Sequence, residues 1–408
     1  MILFACSDKE FTGFSYDPED VAVTTDKPVT KQKKRSFGIL NDQIRVSNEF
    51  DGGRLSDFYA VDSTTFRAVI EPERSPINNS PWFSFRLWGD YPKPFQLELA
   101  YQDAKHRYHP KISTDGKQWQ PLDTTKIKMD SSKAVLTLQL PGRGDGDSLW
   151  VSAQELRTTS NHLVWIESLA EDPRVTIQVA GKSALGNPIH HLIITDHEAN
   201  TKPKGVIVIL GRQHPPEVPG DLIMEAFVEN LLRSGSPQSA FLERFEVHLF
   251  PMLNPDGADG GHWRYNSNGV DLNRDWEAFN QPETRAVRRA LMPLAGDTTR
   301  RVFYHIDFHA TDEHVLYPIL PEIEKFPGNI TEKWLSRIRT EVPGYPFRAE
   351  PFDTTAPIAK NWMFKTFGAD GVTFEVYDET DRKVIEQLGT ESSHLLMELL
   401  NDAYDENY

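Results

Sequence analysis

The sequence predicts an antiparallel β-sandwich followed by an α/β domain, whose mixed, largely parallel sheet carries helices on both faces. Three observations lead there. Between residues 36 and 166 the apolar residues fall in short alternating runs; from residue 171 to 402 they fall in dense unbroken ones; and helical stretches separate the dense runs. At 408 residues the chain is long enough for each part to bury its own core.

The sandwich strands are "FRAVIEP", "WFSFRLWG", "FQLELAY", "AVLTLQL" and "SLWVSAQ". Each alternates apolar with polar residues or clusters β-branched and aromatic ones. Turn-rich pieces such as "STDGKQW" and "GRGDGDS" part them, and nothing in this region reads as a long amphipathic helix. Further on, "HHLIITD", "KGVIVILG", "FEVHLFPMLN", "RVFYHIDFHA" and "DGVTFEVYD" have the density of strands buried on both faces. "GDLIMEAFVENLLRSG" is helical, with Leu222, Ala226, Phe227 and Leu231 along one side, as are "PETRAVRRALMPLAG" and "GTESSHLLMELLNDAY".

Composition sets limits on partners. A net charge of −16 opposes binding to nucleic acid, and no basic stripe offsets it. An anionic substrate would need a local basic pocket. No run reaches the ~18–20 apolar residues of a membrane span. The one cysteine, Cys6, excludes an intrachain disulfide. Its setting, "MILFACSDKE", has the look of the end of a bacterial lipoprotein signal, but only five residues precede the cysteine. Two readings stay open: a start lying upstream, or a chance match. Residues 1–35, rich in Asp, Thr, Lys and Pro and closing on "KQKKR", read as a solvated tether or signal remnant.

In open α/β sheets ligands bind beyond the carboxyl ends of the strands, which directs attention to "ILGRQHPPEVPG". His214 and Glu217 follow one apolar run in a tight turn that can aim both side chains at one point. A catalytic zinc typically takes three protein ligands and a water, and two histidines with a glutamate are an established set. A third ligand should close another strand, and "RVFYHIDFHA" offers His309 there. Each histidine taken alone reads more readily as an unrelated polar residue at a strand end.

The segment between them strengthens the metal reading. "PMLNPDGADGGHWRYNSNGVDLNRDW" is loop chemistry, yet it carries Arg264, Asn273 and Arg274. Seven motifs stand in order: His214 to Glu217, Asn254 to Gly257, Trp263-Arg264, Gly269 to Arg274, Pro282 to Arg285, Asp307 to His309, and Thr373 to Glu375. In this the chain resembles the zinc carboxypeptidase family, the carboxypeptidase A clan. The preceding sandwich, with "FDGGRLSDF" and "WFSFRLWG", resembles the cytosolic carboxypeptidase branch more narrowly.

The resemblance implies a bound Zn2+ held by His214, Glu217 and His309, a water in its open position, and Glu375 as the general base. It implies Arg264 for the oxyanion, and Asn273 with Arg274 for the substrate's terminal carboxylate. It implies Asp271 as the acid that fixes the tautomer of His214. The expected substrate is the carboxy-terminus of a peptide or protein. Asp378, Glu379 and Asp381 compete with Glu375 on sequence alone, but only Glu375 follows the apolar "GVTF". An ungapped count back from Glu375 puts Lys360 where the family sets side-chain preference, which would favour an acidic last residue; a solvated loop lysine is the plain alternative. The same count puts Asp353 where the family has a mobile tyrosine, and that role stays unassigned. Pro215-Pro216 departs from the commoner single proline and stiffens the turn.

Three other functions fit parts of this pattern: a zinc deacylase of N-acyl amino acids, a metal-free peptide-binding relative, and an iron oxygenase with two histidines and one carboxylate. Retention of Asn273-Arg274 and of the sandwich favours peptides. By resemblance the compartment is the cytoplasm; with a start upstream of Cys6 it is the cell envelope. Oligomeric state and the purpose of the sandwich are not legible.

Overall fold

The computed structural model describes residues 29–74, 81–132, 135–142, 144, 146–199, 201–342, 344–351 and 354–408. Cys6, the tether as far as residue 28, and Asp353 lie outside them.

The five alternating runs each contribute a strand to a two-sheet sandwich. One sheet runs Ser36–Ile39, Ile44–Ser47, Ser84–Trp88, Ser148–Ser152, Lys111–Ser113, Gln120–Pro121; the other runs Asp57–Ala60, Thr65–Ile70, Phe95–Tyr101, Val135–Leu140, Ile127–Asp130. The alternation turns Phe66, Leu97 and Leu138 inward from one sheet and Phe85, Leu87 and Val151 from the other, so they share one core. One pairing departs from the antiparallel expectation: Thr65–Ile70 lies parallel to Phe95–Tyr101, in register from Thr65 opposite Gln96.

The expected run of strand texture to residue 166 is interrupted. Thr159–Leu169 is a helix. Its Trp165, Ile166 and Leu169 pack into the core of the α/β part, not of the sandwich. Trp165 Nε1 donates to Glu229 Oε1 at 3.0 Å, which pins the helix to Val218–Leu232. The helix was illegible because Leu163 and Val164 are apolar yet exposed, which blurs the 3.6-residue period.

The third sheet, that of the α/β part, has eight strands in the order Val175–Lys182, Pro188–Ile194, Phe245–Phe250, Lys204–Gly211, Arg300–Thr311, Asp370–Tyr377, Val315–Pro318, Arg348–Ala349. Its centre is parallel: Lys204–Gly211 pairs in that sense with Phe245–Phe250 and Arg300–Thr311, and the latter with Asp370–Tyr377. Toward the margins Val315–Pro318 on Asp370–Tyr377 and Pro188–Ile194 on both its neighbours are antiparallel, while the edge pair Val315–Pro318 with Arg348–Ala349 is parallel. Central strands buried on both faces explain the unbroken apolar runs.

The helix Val218–Leu232 is not the one-sided amphipath expected. It buries Val218, Ile223, Met224, Ala226, Phe227, Val228 and Leu231, because the helix Arg382–Asn407 covers what the sheet does not. Gly389 permits that approach: a Cβ there would stand 2.7 Å from Ala226 Cβ and 2.8 Å from Ile223 O. No helix of the described residues is long and apolar enough to cross a membrane.

Candidate metal centre

Three parallel strand ends supply the centre. After Lys204–Gly211 the chain turns through Arg212, at φ 50°, and reaches His214 and Glu217 just before the helix at Val218. Arg212 holds this turn from within, donating to Pro215 O at 2.6 Å, Arg157 O at 3.0 Å and Asp221 Oδ2 at 2.9 Å. His309 comes from Arg300–Thr311. Its backbone passes so close to Gly220 that a Cβ there would stand 2.6 Å from the His309 carbonyl carbon, so only glycine allows helix and strand to meet.

His214 Nδ1 lies 2.8 Å from Glu217 Oε1, and His309 Nδ1 lies 2.7 Å from Glu217 Oε2. The outer ring nitrogens also face carboxylates: His214 Nε2 is 2.9 Å from Asp271 Oδ1, and His309 Nε2 is 3.0 Å from Asp307 Oδ2. A neutral imidazole that donates from Nε2 to a carboxylate presents a lone pair at Nδ1. Two such lone pairs and a carboxylate then converge on one point. That is the donor set of a cation site, and two nitrogens with one oxygen suit zinc. Burial opposes ionisation of Glu217, but the two imidazoles outweigh it and hold its carboxyl well below the usual range.

Asp271 is wholly buried. Burial works against its charge, yet Arg264 and His214 keep its pKa well below the ordinary value. Arg264 Nε and Nη2 each approach Asp271 Oδ2 at 2.7 Å, so one acid orients both the imidazole and the guanidinium. Asn273 N donates to Asp271 Oδ1 at 2.9 Å, and Asn273 Oδ1 accepts from Ala359 N at 2.9 Å. Arg274 Nη1 donates to Asn273 O at 2.9 Å.

His214, Glu217, Arg264, Asn273 and Arg274 line a cleft of about 660 Å³ together with Glu375. Glu375 Oε2 is buried and, among the described residues, takes no hydrogen bond. Burial pushes its carboxyl up to about 8, with His309 pulling down and Glu217 and Asp307 pushing further up. A carboxylate oxygen kept dry and unbonded beside a cation site is placed to exchange a proton.

The structure thus gathers His214, Glu217, His309, Glu375, Arg264, Asn273 and Arg274 around one cavity. Lys360 is the exception. It is not a solvated loop lysine: it is fully buried on the helix Ala359–Phe367, donates from Nζ to Pro318 O at 2.9 Å and is not among the residues that line the cleft.

Several participants escaped sequence reasoning. Asp307 stood in a recognised motif but without a role; it faces His309 Nε2, and its position two residues earlier on one strand, hence on the same face, was the available signal. Gln213 donates to Asp307 Oδ2 at 2.7 Å and accepts from Trp276 Nε1 at 2.8 Å. A second cluster, His162, Asp221 and Glu225, also has metal-like spacing. There Arg157 and Arg212 occupy Asp221 Oδ2 at 2.7 and 2.9 Å, so the cluster reads as a buried charge network behind the ligand turn.

Comparison with known proteins agrees with this geometry. Residues 162–345 match the zinc carboxypeptidase family, and residues 46–151 match the cytosolic carboxypeptidase N-terminal domain. Cytosolic carboxypeptidase 2 of Xenopus tropicalis is 34% identical over 308 residues, 66% of this chain and 31% of that protein. An uncharacterised protein of Zymomonas mobilis is 23% identical over 354 residues, covering 82% of this chain and 87% of its own length. The chain therefore spans nearly all of the Zymomonas protein but under a third of the Xenopus one. A metallo-carboxypeptidase from Burkholderia cenocepacia superimposes with a TM-score of 0.75 at 19% identity, over 88% of this chain and 99% of that one, which establishes a shared fold. With both family matches lying in order along the sequence and the metal donors converging, the chain belongs to the zinc carboxypeptidase family and carries the amino-terminal domain of its cytosolic carboxypeptidase branch.

Proposed function

We propose that the chain is a zinc-dependent carboxypeptidase that removes the last residue of a peptide or protein. The observation that carries this reading is the convergence of His214 Nδ1, Glu217 and His309 Nδ1 beside the unbonded Oε2 of Glu375. Zinc, when bound, would lower the pKa of a coordinated water and polarise the scissile carbonyl. The protein's own groups account for the rest. Glu375 takes the water's proton at Oε2 and returns it to the leaving amine nitrogen. Arg264, held by Asp271, presents a fixed positive charge to the oxyanion. Asn273 and Arg274 bind the terminal carboxylate, which confines cleavage to the chain end.

We further propose an acidic last residue as the preferred one. Thr373 lines the cleft with an Oγ1 that takes no hydrogen bond among the described residues, and the ammonium of Lys360 lies on the Pro318 carbonyl opposite Val372. Lys360 is the cation we assign to an entering side-chain carboxylate. As to organisation, residues 29–35 are not the solvated tether expected, since Val29 is buried beside Tyr265, Thr30 N donates to Glu73 O and Arg35 N to Asn48 Oδ1; we propose that the sandwich runs to Ser152 and the catalytic domain starts at Thr159, the helix Thr159–Leu169 being assigned to the core it packs in.

The test is a panel of blocked peptides ending in Glu, Lys and Phe, with N-acyl amino acids alongside. Release of one terminal residue supports the carboxypeptidase; turnover of acyl amino acids alone supports a deacylase. Lys360→Met should erase a preference for Glu, and an unchanged profile would remove Lys360 from specificity.

A further inference from the structure

The sandwich takes part in the catalytic cleft. The loop between strands Phe95–Tyr101 and Lys111–Ser113 carries Arg107 into it, where it shares the wall with Glu217, Trp263 and Glu375. The acids that follow the Glu375 strand hold this loop. Asp378 Oδ2 accepts from Arg107 Nε at 2.9 Å and from Nη2 at 2.7 Å. Glu379 Oε1 accepts from His109 N at 3.1 Å, and Glu379 also pairs with Lys111. Beneath the guanidinium stand the rings of Tyr108 and Trp263, with centroids 5.1 and 5.5 Å away. Trp263 Nε1 donates to Tyr108 OH at 2.7 Å, so the two domains build this platform jointly. Asp378 engages Arg107 through the Nε and Nη2 edge of the guanidinium.

The position of Arg107 along the cleft indicates what it meets. Asn273 Nδ2 lies 3.4 Å from His309 Nε2, the ring edge turned toward Asp307, and Asp307 is paired with Thr373. The groups for the terminal residue therefore lie on the Thr373 side of Glu375. Asp378, and Arg107 with it, follow Glu375 on the same chain and lie on the other side. A peptide whose last residue occupies the Thr373 side must leave the cleft past Arg107.

We propose that Arg107 is a substrate-binding residue, donating to the first main-chain carbonyl upstream of the scissile one, so that the sandwich completes the peptide-binding cleft. This rests on the carboxypeptidase reading. Planar guanidinium groups suit such oriented donation, and any peptide offers the acceptor.

The test compares kcat/KM for a blocked tetrapeptide and for an N-acyl amino acid with the same last residue, in wild type, Arg107→Gln and Arg107→Lys. The short substrate lacks the upstream carbonyl. The variants should lose about tenfold more on the tetrapeptide than on the short substrate, mostly in KM, the size expected of one charge-assisted hydrogen bond. Lysine keeps a cation opposite Asp378, so Arg107→Lys covers the case in which glutamine prevents folding. Equal losses on both substrates would overturn the proposal and leave Arg107 as a strut for the domain contact. Wild-type protein that releases no terminal residue from the tetrapeptide would instead overturn the carboxypeptidase reading itself.

Discussion

Asp271 lies 2.9 Å from the outer nitrogen of His214, and the inner nitrogen of the same ring lies 2.8 Å from Glu217. One buried acid thereby decides which face of a ligand imidazole carries a lone pair. Asp271→Asn keeps the volume but offers an amide in place of a full acceptor, and it frees Arg264. Zinc affinity should fall about 10- to 100-fold. Titration against a competing chelator measures this, and unchanged affinity would show that the tautomer is fixed by something else.

Glu375 differs in that its proposed role is to carry a proton and not to hold the metal. Glu375→Gln should leave zinc content at the wild-type level while turnover drops about 10²- to 10⁴-fold. Metal analysis and peptide kinetics on one preparation separate the two effects. Loss of zinc along with activity would make Glu375 part of the ligand set.

Asp221 is enclosed by three cationic or potentially cationic groups, Arg157, Arg212 and His162, at 2.7 to 2.9 Å. Removing its charge leaves two arginines in the interior without their shared anion. Asp221→Asn should cost about 3–5 kcal/mol of stability, by analogy with other broken buried ion pairs. Because Arg212 also holds the Pro215 carbonyl, zinc should bind more weakly too. Denaturant unfolding with and without excess zinc checks both parts.

How far these features could be read beforehand differs by residue. His214, Glu217 and His309 were legible because each ends a dense apolar run, and parallel sheets bring such ends together. The sandwich strands were legible from simple alternation. Arg107 was not, because its partner Asp378 is 271 positions away and a lysine- and arginine-bearing loop carries no periodic signal. Nor was the pairing of Thr65–Ile70 with Phe95–Tyr101, since side-chain alternation is the same in parallel and antiparallel ladders. Lys360 illustrates the opposite limit: a count along the chain could not tell a solvated loop lysine from one buried on a helix.

Acid stability follows from a histidine far from the metal. Burial, aided by His248, holds His191 down to about 3, while Glu246 pulls it weakly upward. The folded state thus keeps the ring neutral where the unfolded chain takes up a proton near its ordinary pKa of about 6.5. Protons therefore favour unfolding as pH falls through about 6.5 toward 3, and stability is highest above that range. Between pH 7.5 and pH 5 this one group should account for about 1–2 kcal/mol. His191→Asn should flatten that part of the pH dependence of unfolding, even if it lowers stability at every pH. A slope equal to wild type would place the sensitivity in other groups.

The most direct measurement is zinc content together with product mass. Protein stripped with a chelator and reloaded with zinc should bind one ion per chain and shorten a peptide by a single carboxy-terminal residue. His309→Ala should bind no stoichiometric zinc and should release nothing. Full cleavage by the metal-stripped protein, or one equivalent of zinc retained by His309→Ala, would contradict the account.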